Sequence, residues 1–213
     1  NRPALEKLPL AKMTPEVIKS RDGLNLVSYL TVPGWLDQDH NARPDTGPIP
    51  MVLFVHGGPW ARDSYGYSGY VQWLANRGYA VLQVEFRGST GYGTQWFRAG
   101  FRDWGGLPYE DVIDGTRWAI AQGQIDATRT CILGGSYGGY LALLAATRND
   151  GLFRCAVSIA GVSDLFELRN DERFFRNWEI ANAGLAQDTK KLREDSPRQH
   201  AAALPARAHE THQ

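Results

Sequence analysis

The stretch that decides the fold reads Thr130-Cys131-Ile132-Leu133-Gly134-Gly135-Ser136-Tyr137-Gly138-Gly139-Tyr140. It begins as a short apolar run of the kind that forms a buried strand, and it continues into a turn that contains four glycines. The Ala- and Leu-rich segment 140–147 follows directly and is typical of a helix. This order predicts a strand, a sharp turn with Ser136 at its tip, and a helix.

The turn also has chemical consequences, because it contains the pattern Gly-x-Ser-x-Gly. Gly134 and Gly138 remove side chains that would clash across a tight turn, so that the Ser136 hydroxyl can project away from the sheet. The Tyr137 N–H and the helix N-terminus would lie close to an oxyanion formed at Ser136. The alternative is an ordinary turn with a helix-capping serine, but the strand–turn–helix context favours a nucleophile elbow.

Further strands and helices are predicted on either side of this turn. Segments 17–20 and 24–32, separated by Arg21-Asp22-Gly23, predict a β-hairpin, since Asp-Gly suits a tight turn. The apolar runs at 51–55, 80–86, 130–133 and 155–160 predict buried strands, and helices are predicted at 70–77, 108–122 and 140–147. This alternation indicates an α/β fold with a mostly parallel sheet and helices on both faces.

Length and composition fit one globular domain. The chain has 213 residues, 43% of them apolar, and we expect a single domain over 1–213 with an N-terminal extension at 1–16 and an atypical tail at 198–213. Lys plus Arg and Asp plus Glu number 23 each, which argues against nucleic acid or an anionic membrane as a partner. Because no apolar run is long enough to span a membrane and no signal peptide is visible, we expect a soluble, cytoplasmic protein.

The two cysteines, Cys131 and Cys155, both lie in apolar runs. A cysteine in such a run usually behaves as a small hydrophobe, so buried reduced thiols are expected, in keeping with a cytoplasmic setting. Their spacing is not that of a metal site. We expect neither a metal nor an organic cofactor.

A second motif, His56-Gly57-Gly58-Pro59-Trp60, follows the strand predicted at 51–55. Two glycines let backbone N–H groups approach a bound carbonyl closely, and we expect the Gly58 N–H to be the second oxyanion donor, with Gly57 as the alternative. His56 precedes the turn of this loop, and we favour a structural hydrogen-bonding role for it over that of a general base. The glycine-rich segment 87–93 lacks the Lys-Ser/Thr of a phosphate loop and is expected to line a cleft.

Taken together, these motifs resemble the prolyl oligopeptidase family of serine peptidases, in particular its acylaminoacyl-peptidase and dipeptidyl-peptidase-like members. The matching segments occur in the family's order: 55–59, Phe86-Arg87-Gly88-Ser89-Thr90-Gly91-Tyr92-Gly93, Asp103-Trp104-Gly105-Gly106, Tyr109-Glu110-Asp111-Val112, 134–140 and Gly161-Val162-Ser163-Asp164. The resemblance implies an α/β-hydrolase catalytic domain that cleaves short peptides through an acyl-serine intermediate, with a small peptide as its substrate.

The resemblance also implies an apolar substrate pocket beside the serine. Val162, Leu165 and Leu168 match the segment that supplies its walls, and core packing is an equal interpretation for them. Trp60 and Tyr137 are further candidates for lining the pocket. A small or apolar residue before the scissile bond is therefore expected.

The family's Asp and His, which follow two further strands, have no match in 198–213. The sheet is thus expected to be incomplete at its C-terminal edge, as in a truncated product or a fragment. Asp164 with His209 or His212 could substitute, but a loop-fixing role for Asp164 is favoured.

Two consequences follow from this departure from the family pattern. Without further strands, the strand at 155–160 becomes a sheet edge with unpaired N–H and C=O groups, so self-association is expected. Two other functions stay open beside the peptidase: an inactive remnant or binding module that keeps the elbow, and a carboxylesterase.

Overall fold

Six strands form one sheet in the order β1-β2-β4-β3-β5-β6 in the computed structural model, which describes residues 3–5, 7–148, 150–171 and 184–204. The strands are β1 (Met13–Lys19), β2 (Asn25–Thr31), β3 (Ile49–Val55), β4 (Ala80–Val84), β5 (Ile125–Gly135) and β6 (Cys155–Ile159). The predicted hairpin is confirmed as the antiparallel pair β1 and β2, with Gly23 at a φ of 88° between them. From β4 to β6 all pairings are parallel, which confirms a mostly parallel sheet.

Helices cover both faces of the sheet, as predicted. They are α1 (Gly69–Ala75), α2 (Thr94–Ala99), α3 (Leu107–Ala121), α4 (Tyr137–Arg148), α5 (Leu165–Asn170) and α6 (Thr189–Glu194), with 3₁₀ segments at Pro3–Leu5 and Pro197–Ala203. Helix α1 packs Val71 and Leu74 against one face, and α3 and α4 contribute to the larger core on the other. Within the described ranges, none of the helices has the length and apolar character needed to cross a bilayer.

An ion-pair cluster, buried at Arg87 and Asp111 and exposed at Asp22, fixes the hairpin turn to the rest of the fold. The Arg87 guanidinium, which follows β4, donates to Asp111 on α3 at 2.7 and 2.8 Å and to Asp22 in the turn at 2.8 and 2.9 Å. Hydrogen bonding to Arg87 holds the pKa of Asp22 well below its usual range. The turn, the end of β4 and α3 therefore meet at one charged side chain.

Strand β6 is the outermost strand of the sheet, which confirms the predicted open edge. No further strand lies beyond it in the part of the chain that the structure describes. Its side chains are largely exposed, with Val157 at 43% and Ile159 at 51%. Apolar residues that would be buried in a wider sheet are therefore in contact with solvent.

The prediction of buried, reduced cysteines is wrong. Cys131 on β5 and Cys155 on β6 lie directly opposite each other in the parallel register, with their Cα atoms 4.7 Å apart, and they form a disulfide. Cys155 is exposed because β6 is an edge strand. The pairing follows from the register of β5 and β6, which the apolar composition of the two runs does not reveal. Because the thiols are not reduced, the cysteines no longer support the predicted cytoplasmic location.

Candidate active site

Ser136 occupies the turn between β5 and α4, where the sequence places it. Its φ is 53°, a left-handed conformation that L-residues other than Gly, Asn and Asp rarely adopt, and its side chain is exposed. The Ser136 N–H donates to Ile159 O at 2.9 Å, and Tyr140 N–H donates to Ser136 O at 2.9 Å. The strained backbone is thus held between the end of β6 and the first turn of α4, which is the geometry of a nucleophile elbow.

Glycine is required on both sides of this turn. A Cβ atom at Gly138 would overlap the Val55 carbonyl oxygen, and one at Gly134 would overlap the backbone of Gly138. The start of α4 can therefore approach the end of β3 directly. This close approach brings the loop after β3 next to Ser136.

That loop touches the elbow at Gly57. A Cβ atom built at Gly57 would lie 3.5 Å from Ser136 Cβ and 3.1 Å from Gly135 O. The next residue, Gly58, is exposed and has a φ of 122°, which a side chain would strain. Gly58 thus sits one residue from the contact with Ser136, and its role as an oxyanion donor stays a prediction.

Tyr137 contributes to the site only through its backbone. Its ring is 1% exposed, and its hydroxyl donates to Trp104 O at 2.8 Å in the core. The side chain therefore does not line a substrate pocket, because it fills the space beneath the elbow. The Tyr137 N–H, at the first residue of α4, remains the candidate oxyanion donor.

A cleft of about 640 Å³ lies at the carboxyl end of β6. Its lining includes Val162 and Leu168, two of the predicted wall residues, together with charged groups that the sequence analysis missed, among them Glu167 and Arg198. The sequence analysis could not place these polar residues in a cleft, because the segment that contains them has no apolar periodicity.

Two further predicted wall residues do not line this cleft. Leu165 is 1% exposed and belongs to the core, which fits the core-packing interpretation. Trp60 packs on Phe97 and Phe101, at ring-centroid distances of 6.3 and 6.1 Å, because the large aromatic rings cluster beside the loop. Of the five candidate wall residues, the structure therefore places two, Val162 and Leu168, at this cleft.

His56 has the structural role expected of it. Its Nδ1–H donates to Gly57 O at 2.7 Å, and its Nε2 accepts from the Ser89 hydroxyl at 2.9 Å. Burial lowers the pKa of His56 to about 4, so the imidazole is neutral near pH 7. With both ring nitrogens engaged, His56 is not available as a base for Ser136.

No described imidazole contacts the Ser136 hydroxyl. His200 donates from Nε2 to Glu194 O at 2.7 Å, and His209 and His212 lie outside the described residues. Asp164 caps α5 by accepting from the N–H groups of Phe166 and Glu167, both at 3.0 Å, which fits a loop-fixing role. The described residues therefore bring together a candidate nucleophile and candidate oxyanion donors, and none of the described imidazoles lies in the place of a base.

Two carboxyl groups, the buried Glu85 and the half-buried Asp63, lie together at the loop that follows β3, and the sequence analysis missed both. Glu85, directly after β4, is completely buried, and its Oε1 accepts from the Asp63 N–H at 2.9 Å. Burial and the nearby Asp63 raise the pKa of Glu85 to about 8, and burial raises the pKa of Asp63 to about 6. Across the described ranges, no group of three or more His, Cys, Asp or Glu residues could hold a metal ion.

The fold and the elbow define an α/β-hydrolase: a largely parallel sheet carries a serine with a left-handed backbone conformation between strand β5 and helix α4. A sequence profile described as the Prolyl oligopeptidase family matches residues 65–210. The chain belongs to this family of serine peptidases, as the motifs implied.

Relatives and solved structures agree with this assignment. The chain is 52% identical over 164 residues to dipeptidyl aminopeptidase BIII of Pseudoxanthomonas mexicana, covering 77% of this chain and 24% of that protein. It is 38% identical over 180 residues to dipeptidyl peptidase family member 6 of Caenorhabditis elegans, with shares of 78% and 24%. The acylaminoacyl peptidase of Pyrococcus horikoshii superposes with a TM-score of 0.82 at 25% identity, over 95% of this chain and 32% of that one. The chain thus spans about a quarter of the length of these curated relatives.

Proposed function

We propose that Ser136 is the nucleophile of a serine peptidase that cleaves short peptides through an acyl-serine intermediate. The observation that carries the proposal is the left-handed, exposed Ser136 between β5 and α4, with Gly57 packed against it. Family membership supports the same chemistry, and the relatives' names, dipeptidyl aminopeptidase and acylaminoacyl peptidase, support short peptides as substrates.

In this proposal Ser136 Oγ attacks the carbonyl carbon of the scissile amide, and its proton passes to an imidazole base outside the described residues. The carbonyl oxygen becomes an oxyanion that accepts hydrogen bonds from the N–H groups of Tyr137 and Gly58. The imidazolium then returns its proton to the amide nitrogen as the C–N bond breaks, so that an amine leaves and the acyl-serine remains, and water later hydrolyses the acyl-serine ester to release the acid. Loss of one oxyanion donor typically costs about 10²- to 10³-fold in kcat.

The cleft at the end of β6 suggests where the peptide binds. Val162 and Leu168 provide apolar surface there. We therefore assign a small or apolar side chain before the scissile bond to this cleft.

The direct test is labelling with a fluorophosphonate, which reacts with activated serines. In the proposal the folded chain becomes labelled, Ser136→Ala abolishes the labelling, and Ser64→Ala, a change at another exposed serine, leaves it intact. Labelling that survives in Ser136→Ala would contradict the assignment of the nucleophile. Faster turnover of p-nitrophenyl esters than of aminoacyl anilides would favour a carboxylesterase over a peptidase.

A second candidate function is a binding module that keeps the elbow without catalysis. Residual catalysis without triad partners is about 10³- to 10⁴-fold over water, far below that of an intact triad. A folded sample that neither labels nor turns over a peptide, and yet binds one, would support this candidate.

A further inference from the structure

The loop that carries the candidate oxyanion donor Gly58 begins at His56, directly after β3, and reaches Asp63. We call residues 56–63 the oxyanion loop. Glu85, at the carboxyl end of the neighbouring parallel strand β4, lies beside both of its ends. At one end Glu85 Oε1 accepts from the Asp63 N–H at 2.9 Å, and at the other Glu85 Oε2 lies 3.6 Å from His56 Nε2.

Resting on the proposed function, we propose that Glu85 is a positioning residue, whose carboxyl group holds the Asp63 end of the oxyanion loop by a hydrogen bond, lies against its His56 end, and thereby sets the place of the Gly58 N–H beside Ser136. It does not touch the reacting atoms, and it acts only through the backbone of the loop. A group that does so must be rigid, and Glu85 is completely buried.

The environment of Glu85 indicates the protonation state in which it acts. Its Oε2 is buried without a hydrogen bond of ordinary geometry, although the nearby Ser89 hydroxyl lowers the pKa of Glu85, and Asp63 Oδ2 is likewise buried without such a partner. The negative charge of Asp63 disfavours the ionised form of Glu85, and a proton on Glu85 relieves this repulsion. Burial raises the pKa of Glu85 to about 8, so Glu85 is the site that keeps a proton near neutral pH.

The groups that face Glu85 come from each element around it. From the oxyanion loop come Asp63 and the Arg62 guanidinium, and from the end of β3 comes His56, which is neutral near pH 7. From the glycine-rich loop after β4 comes Tyr92, whose pKa is raised well above its usual range, chiefly by burial and then by Glu85. The exposed Arg62 lowers the pKa of Glu85, but burial and Asp63 raise it by more, so Glu85 still titrates well above its ordinary range.

The test follows backbone amide resonances of the ¹⁵N-labelled chain between about pH 6 and pH 9. We expect the amides of Gly57, Gly58 and Asp63 to shift with one common midpoint near pH 8. In Glu85→Gln, whose amide oxygen can still accept from the Asp63 N–H, the loop keeps its resonances and the midpoint is lost. Glu194→Gln, at a side chain that is 60% exposed, is the matched control and keeps the midpoint.

A second variant keeps the test independent of titration. In Glu85→Val no acceptor remains, and hydrogen exchange at the Asp63 amide is expected to speed up by at least about tenfold while Glu85→Gln stays near the original rate. If Glu85→Val does not fold, the pH series in Glu85→Gln decides alone.

Several results would overturn the proposal: flat amide shifts in a folded wild-type chain, the same midpoint in Glu85→Gln, or an unchanged exchange rate in folded Glu85→Val. Neither measurement uses hydrolysis. A loop that titrates as expected in a chain that never reacts with a fluorophosphonate would therefore refute the proposed function and leave the role of Glu85 in place.

Discussion

Ser136 adopts a backbone conformation that costs about 1 to 2 kcal/mol for an ordinary L-residue. Such strain is maintained only where the surroundings impose it, and here the hydrogen bond to Ile159 O and the packing of Gly138 on Val55 do so. An exposed side chain held in this way is more readily explained by chemistry than by stability. The strain can be measured without any substrate.

Glycine has no Cβ atom and therefore adopts a φ of 53° without strain. Ser136→Gly should unfold at a higher urea concentration than Ser136→Ala, with a free energy of unfolding that is larger by about 1 kcal/mol. Ser64, whose φ is not positive, gives the matched control, because there the glycine variant should be no more stable than the alanine variant. Equal midpoints for the two Ser136 variants would show that the turn is relaxed.

The raised pKa of Glu85 predicts an unusual dependence of the free energy of unfolding on pH. Its pKa rises from an ordinary value of 4.5 to about 8 on folding, so the folded state keeps a proton that the unfolded state loses across this window. The contribution of Glu85 to the free energy of unfolding therefore falls as the pH rises from about 4.5 to about 8, and it is constant above that.

Glu85→Gln has no proton to lose and should escape this decline. We expect it to match the wild-type chain near pH 4.5 and to be more stable above pH 8, by a few kcal/mol at most, since one pKa unit corresponds to about 1.4 kcal/mol. Urea unfolding at three pH values measures the difference. A constant difference across the series would mean that Glu85 does not titrate in this range.

Among the elements, those that depend on local pattern could be predicted from the sequence. The hairpin followed from Arg21-Asp22-Gly23, and the central strands followed from uninterrupted apolar runs, because a strand covered on both faces needs them. Helix α2 was not predicted, since none of its residues is buried and it has no apolar stripe. The contact between Glu85 and Asp63 joins residues 22 positions apart and left no local signal.

The pairing of β5 with β6 also determines the chemistry of the cysteines, which composition alone could not reveal. We expect no free thiol in the native chain and two after reduction, counted with a thiol reagent. Removing the disulfide by Cys155→Ser should lower the free energy of unfolding by about 2 to 4 kcal/mol. Reduction should destabilise the wild-type chain and leave Cys155→Ser unaffected, whereas two reactive thiols in the unreduced native chain would contradict the pairing.

For the molecule as a whole, the open edge at β6 is the main liability. Within the described residues β6 has a neighbour on one side only, and its exposed Val157 and Ile159 offer a surface on which another strand could pair. We expect the chain to self-associate in a concentration-dependent way in sedimentation experiments, and Val157→Lys to shift it towards the monomer.

The opposite edge strand β1 offers a matched control. Val17 there is 63% exposed, and Val17→Lys should leave the association unchanged if β6 carries it. A wild-type chain that stays monomeric at all concentrations, or equal effects of the two substitutions, would show that β6 is not the contact.

The central claim is that the Ser136 hydroxyl faces backbone N–H groups able to stabilise an oxyanion. The most direct measurement is binding of a dipeptide boronic acid, followed by boron and amide NMR of the same sample. We predict tetrahedral boron bonded to Ser136 and downfield shifts of the Tyr137 and Gly58 amide protons. In Ser136→Ala we expect neither the tetrahedral boron signal nor the amide shifts. Boron that stays trigonal in the folded chain, or a tetrahedral adduct that moves neither amide, would contradict the claim.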